Sequence, residues 1–227
     1  MTRRALVALA IAAALAAPLP FVAANVFATA DAPVQTKRSE GEDLYRRGYY
    51  SEAIAWWTAE AAKGDVEAAR RLGVEYMDGK GNVVQRDYEK ARQYHMQAAR
   101  GGERRSMFDL GTMYEHALGV EQNLTTAAGW YEWSAKYGFA QGQYNFATML
   151  DSGDGGRKDE VEAYMYYLLA AAQGVGGLPP LDRKTGRLAQ DGDTPIQQLA
   201  RRMTQAQIAE AAVRAKAFKA MSGPMPA

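Results

Sequence analysis

The sequence predicts an all-α fold, an α-solenoid of antiparallel helical hairpins finished by a C-terminal helical cap. Three observations lead there. Gly64, Gly102, Gly138 and Gly174 recur at intervals of 38, 36 and 36 residues, a period at which stacked helical hairpins repeat. Upstream of each glycine, in register, stand two alanines (Ala53 and Ala61, Ala91 and Ala99, Ala127 and Ala135, Ala163 and Ala171). Between them lies an aromatic or aromatic–histidine pair: Trp56-Trp57, Tyr94-His95, Trp130-Tyr131 and Tyr166-Tyr167. Downstream of the first three glycines a tiny residue comes four positions on (Ala68, Ser106, Gly142) and a large apolar one eight on (Leu72, Leu110, Phe146). A small residue follows at nine (Gly73, Gly111, Ala147) and a large one at twelve (Tyr76, Tyr114, Leu150).

At about 100° per residue, positions four, eight, nine and twelve share one helix face. Small side chains there let a neighbouring helix come close, and the large ones fill the remaining volume. The glycine between two helices suits a left-handed C-cap. Asp87, Asn123 and Asp159 each stand four residues before the upstream alanine, where a short polar side chain caps the next helix. Gly79-Lys80-Gly81-Asn82 and Gly153-Asp154-Gly155-Gly156 read as linkers between hairpins.

The remaining elements follow in chain order. Arg3 and Arg4 precede an apolar run from Ala5 to Ala17, and Ala28-Thr29-Ala30 offers a small-x-small cleavage site. Residues 1–30 therefore read as a signal peptide cut after Ala30, giving a periplasmic or secreted protein. An uncleaved leader anchored in the inner membrane is the alternative. Residues 31–41 read as a flexible N-terminal segment, 42–175 as the repeat solenoid and 176–193 as an irregular linker opening on Gly176-Gly177-Leu178-Pro179-Pro180. Capping helices are expected over 194–220, the first behind Thr194-Pro195 and the second behind Thr204. Residues 221–227 read as a loose tail.

At this point the sequence resembles a known family. Ala127 through Gly138, Ser106 through Tyr114 and Gly119 through Ala127 look like the motifs of the Sel-one-like repeat (SLR), a relative of the tetratricopeptide repeat. Leu44 through Ala53 resembles the end of a preceding first helix. The resemblance implies a right-handed superhelix whose first helices line a concave groove for protein partners. It departs from the family pattern where Ala117 replaces a linker glycine and Leu150 a tyrosine. A cysteine-rich branch of this family is associated with β-lactamase-like activity and staples each repeat with a disulfide. This chain has no cysteine, which speaks against that branch.

Of 27 basic residues two lie in the leader, leaving 25 against 26 acidic, so charge gives no sign of a nucleic-acid partner. No catalytic, cofactor-binding or metal-ligating constellation stands out. His95 and His116 are the only histidines, and neither has a second ligand nearby in sequence. The stretch from Asp151 to Glu162 has the glycine and final glutamate of a calcium loop, but Gly153 and Gly155 fill two ligand positions. Asn123-Leu124-Thr125 is a sequon by letters, and a helix cap explains Asn123 better.

Function is thus expected on a surface. Going opposite the packed face gives positions three, six, seven and ten after each glycine: Glu67, Arg70, Arg71 and Val74, then Arg105, Phe108, Asp109 and Thr112, then Gln141, Tyr144, Asn145 and Thr148. From these, Arg70, Arg71, Arg105, Phe108, Asp109, Gln141, Tyr144 and Asn145 are the candidate partner-binding residues, with Phe108 and Tyr144 as aromatic anchors. The expectation is a monomeric, non-enzymatic interaction scaffold of the bacterial cell envelope without cofactor. Its groove would hold a protein or peptide segment, such as a cell-envelope or peptidoglycan-modifying factor, with no stable membrane insertion once the leader is cleaved. The alternatives are a peptidoglycan-fragment-binding or weak β-lactamase-like hydrolase, and a self-assembling structural module.

Overall fold

A computed structural model describes residues 39–80, 83–176 and 194–226. The leader, the flexible segment up to residue 38 and the linker over 177–193 lie outside the described residues. Within them the fold is all-α, an α-solenoid of helical hairpins. The helices are α1 (Glu40–Arg46), α2 (Tyr50–Ala62), α3 (Val66–Asp78), α4 (Tyr88–Arg100), α5 (Arg104–Glu115), α6 (Leu124–Lys136), α7 (Ala140–Ser152), α8 (Glu160–Ala172), α9 (Pro195–Arg202) and α10 (Gln205–Ala217).

Local chemistry starts and stops these helices where the sequence places the signals. The side chains of Asp87, Asn123 and Asp159 accept the backbone N–H groups of Lys90, Thr126 and Glu162 at 3.0, 2.9 and 2.9 Å. Thr194 and Thr204 open α9 and α10 with Gln197 and Gln207 turned back onto their backbone N–H groups. Gly64, Gly102, Gly138 and Gly174 all have φ between 78 and 95°, and each ends a second helix in a left-handed cap.

The chain divides into two compact units. The first comprises residues 33–142 together with 220–227, and the second comprises 143–219. In the first, α1 to α6 pack each against its neighbour in sequence. The small-residue column decides how closely. A Cβ at Gly73 would lie 2.7 Å from the His95 ring, and one at Gly111 would lie 2.6 Å from the Tyr131 ring. Gly41 has the same role in the preceding hairpin, where a Cβ would lie 2.5 Å from Trp57 Nε1. Helix α1 therefore starts at Glu40, capped by Ser39. Gly41 belongs to the packed column, whereas its sequence context suggests a flexible segment. In the second unit α8 packs against α9 and α10, burying Tyr164, Tyr166, Tyr167, Leu199, Ile208 and Ala211.

The tail departs from expectation. Met221 N–H donates to Lys136 O and Met225 N–H donates to Arg100 O, at 2.9 and 3.0 Å. Tyr137 O–H donates to Pro224 O at 3.1 Å, so residues 221–226 are held on the first unit. A composition of Ser, Gly and Pro concealed backbone donors that match two free helix-end carbonyls.

Candidate functional site

The outward face of α3 and α5 carries most of the candidate residues of the first unit. Position three after each glycine is exposed: Glu67, Arg105 and Gln141. Arg105 forms no ion pair among the described residues. Arg70 donates through Nε and a terminal nitrogen to the Glu67 carboxylate, at 2.8 and 2.5 Å. Arg71 bridges Glu42 at 2.8 Å and Glu67 at 3.0 Å, its guanidinium 6.0 Å from the Trp57 ring centroid. Both arginines are therefore occupied by carboxylates of their own unit.

Positions six and seven are less open than the sequence suggests. Phe108 is half-buried, its ring 5.6 Å from that of Tyr131 and 5.5 Å from that of Phe139. In the second unit Tyr144 is half-buried edge-on against Tyr167 at 5.5 Å, and Asn145 is half-buried beside it in sequence. Asp109 is a correction: it is only 7% exposed and faces inward toward His95 on α4. Positions six and seven flank the packed stripe, so at the real helix spacing the neighbouring second helix covers them. At position ten, Thr112 and Thr148 meet the hydroxyls of Tyr131 and Tyr167 at 3.2 and 3.1 Å. Val74 holds that position in the first copy, and His95 in the facing slot finds polar partners elsewhere.

Those partners form a cluster the sequence did not suggest. His95 is fully buried; its Nδ1 lies 3.1 Å from Ser106 Oγ and 3.8 Å from Asp109 Oδ2. Burial, reinforced by the positive charges of Arg70 and Arg105, pushes His95 down to about 3. Burial pushes Asp109 up to about 7, against the pull of Arg105 and Arg70. Serine, histidine and aspartate are the residue types of a nucleophilic triad, but the arrangement differs from one. Ser106 Oγ and Asp109 Oδ2 both face the same ring nitrogen, Oδ2 beyond hydrogen-bond distance, while Nε2 has no hydrogen-bond partner among the described residues. The imidazole thus cannot pass a proton from serine to aspartate across its ring. The sequence signal for this cluster is His95, which stands where the other copies have Trp57, Tyr131 and Tyr167.

The loop from Asp151 to Glu162 is braced by cations of the protein itself. Asp151 pairs with Arg202, and Glu162 with Arg157 at 3.0 Å. Asp159, also in this loop, caps α8. No group of three or more His, Asp or Glu positioned to hold a metal occurs among the described residues. Among the same residues no helix is long and apolar enough to cross a membrane.

Comparison with known proteins follows the same repeat. The Sel1 repeat model matches residues 66–103, 104–136 and 140–175. The chain is 34% identical over 85 residues to the chitin synthase regulator SKT5 of Saccharomyces cerevisiae, a match covering 37% of this chain and 12% of that protein. It is 34% identical over 77 residues to the ERAD-associated E3 ubiquitin-protein ligase component HRD3A of Arabidopsis thaliana, covering 34% and 11%. Among solved structures, a Sel1 repeat protein from Oxalobacter formigenes superposes with a TM-score of 0.56 at 29% identity, over 60% of this chain and 55% of that one. A protective antigen of uropathogenic Escherichia coli with an SLR fold gives 0.51 at 29% identity, over 54% and 26%.

Proposed function

The chain belongs to the Sel1 repeat family, and on that premise we propose that it is a non-enzymatic scaffold of the bacterial cell envelope. Sel1 repeat proteins are generally protein–protein interaction scaffolds, mainly adaptors or regulators. The observation that carries the reading for this chain is Arg105: exposed on the outward face of α5, and without an ion-pair partner among the described residues. Arg70 and Glu67 hold each other, whereas Arg105, among the described residues, has its guanidinium open to receive a carboxylate from outside. A protein or peptide segment bearing an acidic side chain or C-terminus is the ligand this face suits.

Two relatives carry names that place them beside an enzyme, as a chitin synthase regulator and as a ubiquitin-ligase component. That supports an accessory role next to an enzyme. Arg3-Arg4, the apolar run and Ala28-Thr29-Ala30 support export, and the partner is then a cell-envelope or peptidoglycan-modifying factor.

Cross-linking in the native host followed by mass spectrometry identifies the partner, and capture is repeated with Arg105→Glu and Gln141→Ala. Capture by the variants equal to wild type removes this face from the reading. N-terminal sequencing of the periplasmic fraction should find Asp31 first; an intact Met1 in the membrane fraction favours the anchored alternative.

A further inference from the structure

The docked tail lies on a surface that neither the outward face of α3 and α5 nor the core accounts for. Its two backbone acceptors, Arg100 O and Lys136 O, close α4 and α6. They are equivalent residues, each standing two before its hairpin glycine, Gly102 or Gly138. The step from Met221 to Met225 therefore spans one 36-residue repeat, running against the order of the repeats. Helix ends leave such carbonyls without an intrahelical donor, and the tail backbone supplies one to each.

The floor of this track is bare backbone. A Cβ at Gly138 would lie 2.9 Å from the Ala220 Cβ, and one at Gly102 would collide with Gly223 O. Tyr137, whose hydroxyl binds Pro224 O, differs from the residues at its position in the other copies: Lys63, Gly101 and Gln173. Met225 packs against the cluster that includes Ala99, Met107 and Tyr137. By contrast, the turn at Gly64, with the same left-handed backbone, has nothing among the described residues within 4 Å of where a Cβ would stand. The docking is thus specific to the Gly138–Gly102 stretch and is not a general property of the turn.

We propose that this turn edge is a second peptide-docking surface, built for a segment reading small–Met–x–Gly–Pro–Met that bends at its Gly–Pro step, where Gly223 has φ +81°. Residues Ala220 to Met225 occupy it in cis, and a partner polypeptide carrying the same pattern displaces them in trans. The hold on the tail is light: three hydrogen bonds and one half-buried methionine, with Met221 still 38% exposed. Covalent tethering does the rest, through an effective concentration on the order of mM. A ligand with sub-millimolar affinity therefore competes. This surface is independent of Arg105 and of the reading built on it.

The test uses a fluorescent peptide of the sequence from Phe218 to Ala227, titrated by anisotropy against three proteins: the intact chain, a chain ending at Lys219, and full-length Met225→Asp. Saturable binding to the shortened chain and to Met225→Asp, weaker by roughly tenfold or more on the intact chain, is the expected result. The peptide carrying Met225→Asp, and the protein carrying Tyr137→Phe, should each weaken binding. Circular dichroism checks folding; if the shortened chain unfolds, full-length Met225→Asp carries the comparison. No saturation below about 5 mM overturns the proposal, since the tethered tail itself works in that range. Binding that a scrambled peptide reproduces, or that Arg105→Ala abolishes, overturns it equally. Dimerisation of the intact chain by tail exchange overturns the foreign partner as the occupant.

Discussion

Asp109 Oδ2 stands 3.8 Å from His95 Nδ1 in the interior of the first unit, and burial shifts the two groups' proton affinities in opposite directions. His95 titrates at about 3 when folded and near 6.5 when unfolded. Between those values the unfolded chain binds the extra proton, so this group adds stability as pH rises. Asp109 titrates at about 7 when folded and near 3.9 when unfolded, so the folded chain binds the extra proton and stability falls as pH rises. Each slope approaches about 1.4 kcal/mol per pH unit, and they oppose each other over pH ~4–6.5. The pair's own contribution to urea unfolding of the wild type should therefore be nearly flat across that window. Asp109→Asn should make stability climb from pH ~3 to ~6.5, and His95→Gln should make it fall from ~4 to ~7. Parallel pH profiles for the two variants would show that the pair is not titrating as described.

Gly73→Ala and Gly111→Ala test the close approach of second-helix rings to the small-residue column. Helix propensity alone favours alanine by up to about 1 kcal/mol. The added methyl, however, lies 2.7 Å from His95 ring atoms or 2.6 Å from Tyr131 ring atoms, and both rings are buried. Overpacking of this kind costs roughly 1–3 kcal/mol, so both variants should melt earlier. A neutral or stabilising result at both sites would mean the helices slide apart without penalty.

Ala117→Gly should stabilise the protein. Ala117 has φ +57°, the only positive φ outside glycine among the described residues, where Gly79 and Gly153 stand in the other copies at +73 and +86°. A left-handed alanine costs roughly 1–2 kcal/mol, and glycine's greater freedom in the unfolded chain returns roughly 0.5–1 of that. The expected net gain is roughly 0–1.5 kcal/mol, measurable as a shift of the urea midpoint at constant slope.

The fold was legible because the repeat is carried by residues whose physics is local and strict: Gly64 and its equivalents in left-handed caps, Asp87 and Asn123 on helix N-termini, small residues under aromatic rings. The substitution of Ala117 for a linker glycine was visible in register, and it is where the backbone is strained. The outward face was less legible. Counting angles from one face gave Asp109 as a surface residue, because helical period alone does not show which of two neighbouring helices covers a flank. The His95 cluster was hidden for a related reason. His95, Ser106 and Asp109 come from three different columns and meet only through packing between consecutive helices. The tail's docking rests on backbone groups, to which a reading of side-chain composition is blind.

Phe108 and Arg105 separate packing from binding on the outward face of α5. Phe108 is wedged between Tyr131 and Phe139, so its side chain belongs to the aromatic contacts that hold α5 against α6 and the start of α7. Truncation to alanine should cost roughly 2–4 kcal/mol, and any loss of partner capture should track the unfolded fraction. Arg105 is exposed and has no ion pair among the described residues, so Arg105→Ala should change stability by less than about 0.5 kcal/mol. Its effect should fall on capture, and the wild-type interaction should weaken as salt rises through the physiological range. Measured together, denaturant melts and capture at two salt concentrations decide the matter. If Phe108→Ala leaves stability intact and abolishes capture, the ring is a contact residue. If Arg105→Ala destabilises the fold, the guanidinium is a structural group and the binding face lies elsewhere.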